Sequence, residues 1–190
     1  ASADVNVRFT EGFGHPETNT WDSSCRGGAY RAAALTKAAG LRIDGGGVAY
    51  QCGSDTACAQ VFASMGYDGW ALNADDLDIT SSSLNAFIDN VGSKPVLSNY
   101  ASSHTSKFAN IGGALLLALA DGGVTYRGGI AVALAEARDA GIDFDTTPVI
   151  LLVSGISTVD IADYGASSAA DAVMNLALET TDVDLVIATG

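Results

Sequence analysis

Gly66-Tyr67-Asp68-Gly69-Trp70-Ala71-Leu72-Asn73-Ala74-Asp75-Asp76-Leu77-Asp78 reads as a helix stop, a short buried strand and an acidic loop in succession. Gly66 ends a helix predicted from Ser54 to Met65, with Ser54 or Asp55 as its cap. Gly69 to Leu72 is the strand, and Asn73 to Asp78 is the loop at its carboxyl end. A second helix is predicted over Ser81 to Val91, with a run of serines as caps, and a further strand over Pro95 to Ser98.

The same alternation extends outward. Val5 to Phe9 alternates apolar and polar residues, as a strand does. Gly28 to Ala39 is an alanine-rich helix stopped by Gly40, and Leu41 to Asp44 is a short strand running into Gly45-Gly46-Gly47. Ala114 to Ala120 is apolar throughout and fits either a strand or a buried helix. Gly129 to Ala140 is a helix ending at Gly141, and Pro148 to Val153 is a fully buried strand. One or two helices follow within Thr158 to Leu178, and Val183 to Ile187 is the last strand. This alternation predicts an α/β fold with mostly parallel strands and helices covering the sheet faces. A ligand site in such a fold lies in the loops after the strands.

Length and composition bound the function. The 190 residues suit one domain with a real core. Nine Lys and Arg against 22 Asp and Glu leave a formal charge of −13, which opposes binding to nucleic acid or an anionic membrane. No apolar run approaches the roughly 20 residues of a membrane-spanning helix, so no membrane insertion is expected. Ala1-Ser2-Ala3 is compatible with the remnant of a small-residue processing site or with an arbitrary boundary.

Three cysteines are present, Cys25, Cys52 and Cys58. Cys52 and Cys58 form either a local disulfide, which requires an oxidising compartment, or two buried thiols. Cys25 is then left over, buried or paired with another chain. The spacing does not suit a four-ligand zinc site.

Several chemical readings are weak. Asp44-Gly45-Gly46-Gly47 lacks the Lys-Ser/Thr pair of a phosphate-binding P-loop. Gly112-Gly113 and Gly122-Gly123 bracket turns. Trp21, Trp70 and Tyr67 either form a stacking platform or fill the core. His15 and His104 sit in loop-like stretches, and neither is placed beside a nucleophile.

The segment Gly66 to Leu72, followed by Asn73 to Asp78, resembles the N-terminal domain of 5′-nucleotidases in the calcineurin-like metallophosphoesterase superfamily, where it reads G-Y-D-A-x-A-L and then G-N-H-E-F-D. Lys94-Pro95-Val96-Leu97-Ser98-Asn99 resembles the family's F-P-V-L-S-A-N at the same spacing. Arg26 to Arg31 is similar to the family's G-G-x-A-R, and Val183 to Ile187 to the strand leading into G-G-H-x-H. The resemblance implies a layered sandwich of two mostly parallel or mixed sheets flanked by helices. It covers nearly the whole of residues 1–190, read as a single metallophosphoesterase-like domain without the C-terminal nucleotide-binding domain of the family.

The family's chemistry uses two divalent metals that activate water and clamp phosphoryl oxygens. Carried over position by position, the ligands are lost. The two ligand positions of T-N-D-x-H fall on Gly12 and Gly14, and the bridging Asp of L-D-A-G-D falls on Gly47. The Asn and His of G-N-H-E fall on Ala74 and Asp75, a further His falls on Gly155, and the first His of G-G-H-x-H falls on Gly190. A relocated all-oxygen site for Ca²⁺ or Mg²⁺ would draw on Asp44, Asp75, Asp76, Asp78 and His15. On the plainer reading, Asp44 and Asp78 are turn or cap residues, and Asp75 and Asp76 are solvated.

The expectation is therefore a non-catalytic scaffold with no metal and no cofactor. It would serve as a structural or interaction subunit beside other protein subunits. The cysteine pair, the start of the chain and the habits of the family place it outside the cytoplasm. The alternatives are a phosphoester hydrolase with a relocated metal site and a small-molecule binding module using the old cleft.

Overall fold

The computed structural model describes residues 6–10, 40–121, 125–156 and 158–189. The expected helix Gly28 to Ala39 lies outside these residues, as do Gly12, Gly14, His15, Trp21, Cys25, Gly122, Gly123 and Gly190. The chain divides into two compact units, one within Val5–Pro95 and the other within Val96–Gly190. Together they hold two sheets, one parallel and one mixed, with helices beside them.

The first unit carries β1 (Val7–Thr10), β2 (Leu41–Asp44) and β3 (Gly69–Trp70), all parallel in the order β1-β2-β3. Thr10 pairs with Asp44, and Asp44 with Trp70, so the carboxyl ends of all three strands finish level. Helix α1 (Val48–Cys52) follows β2 directly, and α2 (Thr56–Ser64) begins at the Asp55 cap, whose carboxylate accepts from Ala57 N at 2.8 Å. A short helix, α3 (Ala74–Asp78), occupies the stretch read as a loop. Helix α4 (Ser81–Val91) has the predicted bounds, and its cap is Thr80 rather than one of the serines. The core of this unit is aromatic: Phe62 meets Tyr67 and Trp70 with ring centroids at 5.3 Å each, and Phe87 at 6.1 Å. Trp70 is therefore a core side chain, not a stacking platform.

The second unit carries β4 (Ala109–Ile111), β5 (Ala114–Ala120), β6 (Val149–Ser154) and β7 (Leu185–Thr189) in that order. Ala114 to Ala120 is a strand, buried at all seven positions. Its turn decides this. Gly112 and Gly113 take φ of 52° and 86°, which closes a two-residue hairpin with β4. Strands β5, β6 and β7 then run parallel. Helix α5 (Tyr126–Asp139) starts before the predicted glycine, and α6 (Thr158–Asp163) and α7 (Ala169–Glu179) lie between β6 and β7. Leu115, Leu117, Leu119, Val149, Leu151 and Val153 pack with Ile130, Ala133 and Ala137 of α5 and with Ala172 and Leu176 of α7. Helix α5 can lie close because Gly129 faces Asn99: a Cβ at Gly129 would stand 2.5 Å from the Asn99 Cβ.

The predicted strand Pro95 to Ser98 does not form. Only a single parallel bridge joins Val96 to Ser106. The stretch divides its polar groups between β5 and the segment before β4: Ser98 N donates to the Ala118 carbonyl at 2.6 Å, and the Ser98 hydroxyl accepts from Ala118 N at 3.1 Å and donates to the Lys107 carbonyl at 2.6 Å.

Candidate functional site

The carboxyl ends of β1, β2 and β3 are where α/β chemistry is sought, and two carboxylates are buried there. Asp44 closes β2 and is fully buried. Its oxygens accept from the Thr10 hydroxyl at 2.7 Å and from Gly46 N at 3.0 Å. The Thr10 hydroxyl also lies 2.9 Å from the Tyr67 hydroxyl. Burial is the main reason that the Tyr67 phenol is pushed up to about 12.

Asp76 is 1% exposed, which corrects the expectation that it is solvated. Its Oδ2 accepts from Gly47 N at 2.7 Å and Asn73 N at 3.1 Å, and its Oδ1 accepts from Tyr50 N at 2.8 Å. The Asn73 side chain in turn accepts from Asp76 N at 3.0 Å, which completes a capping box. One carboxylate therefore serves the amino ends of both α1 and α3. Burial pushes the Asp76 carboxyl up, and the three N–H donors oppose that shift. The signal was in the sequence: Asn73 and Asp76 have the three-residue spacing of a reciprocal cap.

This arrangement answers where the sequence-derived positions fall. Gly47 is left-handed at φ 86°, carries no side chain and spends its N–H on Asp76. Ala74 opens α3, and Asp75 beside it is exposed in the first turn. Asp78 is the exposed last residue of α3. The oxygens of Asp44 and Asp76 are turned to backbone N–H groups and to the Thr10 hydroxyl, while Asp75 and Asp78 face solvent. Among the described residues, no three His, Cys, Asp or Glu side chains stand together in a way that could hold a metal ion. Among the described residues, the donor set therefore does not fit the two-metal centre that the resemblance implies.

In the second unit Gly155 follows β6 with φ 66°, and its carbonyl accepts from the Tyr126 hydroxyl. Asn99, read in the sequence only as the last residue of the stretch that resembles F-P-V-L-S-A-N, is 1% exposed. It pairs with the backbone of Ala120 through both side-chain atoms, at 2.7 and 3.2 Å. Asp160, also missed by the sequence reading, is buried and accepts from Tyr126 N at 3.2 Å. Buried polar groups here tie strand ends to the following elements. Cys52 and Cys58 are bonded to each other, with Cα atoms 5.8 Å apart. The bridge fastens the end of α1 to the first turn of α2.

No family model matches the chain. No curated protein matches it either. A solved structure does: a Staphylococcus aureus protein designated a candidate 5′-nucleotidase, in complex with α-ketoglutarate. The TM-score is 0.62 at 13% sequence identity, over 96% of this chain. The chain spans 44% of the length of that structure. At this identity the likeness concerns the fold, which is 5′-nucleotidase-like.

Proposed function

We propose that this chain is a 5′-nucleotidase-like fold without its metal chemistry, used as a structural or interaction subunit of an extracytoplasmic protein assembly. The observation that carries the reading is Gly47. The position that the resemblance assigns to the bridging Asp has no Cβ, sits at φ 86° and is hydrogen-bonded to Asp76. The ligand positions Ala74 and Gly155 also lack donor side chains, and Asp75 stands alone in solvent. The buried carboxylates that remain have structural duties. The Cys52–Cys58 bond supports an oxidising location. The charge of −13 favours basic protein partners over nucleic acid.

Metal content by mass spectrometry, on protein purified without chelator, tests the reading together with a phosphomonoesterase assay on the same sample. The expected result is no stoichiometric metal and no turnover. One or two tightly held metal ions per chain, with activity lost on Asp75→Ala, would overturn it and favour a relocated hydrolytic site.

A further inference from the structure

A cleft of about 640 Å³ lies on the second unit, where the loop before β4 faces Glu136 of α5. The loop is pinned by its own hydrogen bonds. Leu97 N donates to the Ser106 carbonyl at 2.8 Å, the Ser98 hydroxyl donates to the Lys107 carbonyl at 2.6 Å, and His104 N donates to the Ser102 hydroxyl at 3.1 Å. The cleft is therefore preformed, and its volume falls in the range of about 300 to 1,000 Å³ found for small-molecule sites. Its wall bears hydroxyls. Among the described residues, the side-chain hydroxyls of Tyr100, Ser103, Thr105 and Ser106 meet no protein partner, although Thr105 and Ser106 are half-buried. Elsewhere in this unit the hydroxyls of the buried Ser98 and Tyr126 are bonded to backbone.

The chemistry of the lining narrows what the cleft can take. Its two charged groups, Lys107 and Glu136, stand 2.5 Å apart and neutralise each other. An anion finds the cation already paired, and a cation finds the carboxylate already paired. An apolar ligand would take water from the hydroxyls and the ion pair and return no hydrogen bond, which is unfavourable. An extended peptide needs open main-chain groups to pair with, and the carbonyls of Ser106 and Lys107 are engaged within the loop. A neutral ring bearing several hydroxyls meets all of these conditions. Its hydroxyls both donate and accept, as those of Ser, Thr and Tyr do. Its C–H face suits an open aromatic ring, and Tyr100 on the lining is 43% exposed.

We infer that the cleft between the loop of residues 100–108 and α5 binds a neutral saccharide. The sugar ring stacks on Tyr100, its hydroxyls take the unpartnered hydroxyls of Ser103, Thr105 and Ser106, and the Lys107–Glu136 pair offers one donor and one acceptor to neighbouring hydroxyls of the sugar. The inference concerns the second unit alone and does not depend on the loss of metal chemistry proposed above.

Titration of the full chain with maltotriose, cellotriose and chitotriose, followed by amide NMR, tests it. These probes cover α- and β-linked glucose and N-acetylglucosamine. Inorganic phosphate and the peptide Gly-Ser-Gly serve as the charged and the peptidic comparison. At least one sugar is expected to give saturable shifts at Ser102 to Phe108 and at Glu136. Tyr100→Ala is expected to weaken that binding about tenfold with an unchanged circular dichroism spectrum, since the side chain is exposed. Thr105→Val, which keeps the shape and removes a hydroxyl, is expected to weaken it less. Met174→Ala, at a 64% exposed position on α7, is expected to leave it unchanged. No saturable shift with any of the three sugars overturns the inference, as do shifts confined to other parts of the chain. Equal affinity in Tyr100→Ala and Thr105→Val overturns it too. Phosphate or Gly-Ser-Gly binding the same residues as tightly would make the cleft an anion or peptide site, and the inference would fall. None of these outcomes bears on metal content or turnover, so the scaffold reading and the saccharide site fail separately.

Discussion

The two units of this chain solve the same problem by different means. The sheet of the second unit is apolar in its interior, with β5 and β6 buried at every position. The sheet of the first unit is short, and β3 has only two residues. That unit makes up for its small sheet with two buried carboxylates, an aromatic cluster and a disulfide. Hydrophobic area stabilises in proportion to its extent, without regard to direction. Buried carboxylates stabilise only where every donor is aimed at them. Strands β5 and β6 of the second unit should therefore tolerate conservative changes of shape, whereas the junction of α1 and α3 in the first should be sensitive to single polar atoms.

The largest effect is expected where apolar packing is deepest. Leu151→Ala on β6 should destabilise the protein by about 3 to 5 kcal/mol in urea unfolding, because it opens a cavity among fully buried neighbours. In the first unit, Asp76→Ala should cost about 3 kcal/mol, since it strands the N–H groups of Gly47, Tyr50 and Asn73. Asp76→Asn tests the direction of those bonds, because its amide would point a donor at a donor. A loss under about 1 kcal/mol for Asp76→Ala would end the contrast between the units.

Removing the Cys52–Cys58 bridge is expected to cost less. The loop spans a sequence separation of 6, for which chain entropy predicts about 2 kcal/mol. Comparing Tm for the native protein, the reduced protein and the Cys52→Ala/Cys58→Ala double variant separates the covalent bond from the packing.

Alkaline titration gives a smaller effect with a definite sign. The phenols of Tyr67 and Tyr164 are each pushed up to about 12, chiefly by burial, and Tyr126 is pushed up further. A raised pKa in the folded state means that the unfolded chain loses its proton first. Stability is thus unaffected below about pH 10 and falls as pH rises from 10 towards 12. Absorbance at the tyrosinate band, read beside unfolding curves, checks this, and Tyr67→Phe should flatten part of the slope. A stability rise through that window would reverse the argument.

The smallest effect concerns salt. Screening a charge of −13 should raise stability by under about 1 kcal/mol between low and moderate ionic strength. A change in the opposite sense would mean that the surface ion pairs outweigh the repulsion.

The sequence by itself determined the alternation of elements, because helix and strand periodicities and glycine stops are local properties. It placed Leu41–Asp44 and Ser81–Val91 at their observed bounds, and it offered Ser54 or Asp55 as the cap of α2, of which the structure uses Asp55. The positions that the resemblance would assign to metal ligands carry glycine, Ala74 and Asp75, which can be read without coordinates. Only the tertiary structure decided the rest. Ala114–Ala120 could not be told from a buried helix until the hairpin turn and the pairing with β6 were seen. Residues 95–98 look like a strand, but Ser98 reaches β5 through its N–H and its hydroxyl, and the one bridge, at Val96, goes to Ser106. Asp76 looks like any surface carboxylate until α1 and α3 converge on it. Burial and hydrogen-bond direction depend on which distant backbone groups arrive at the same place. That is settled by packing between elements, not by the residues within one.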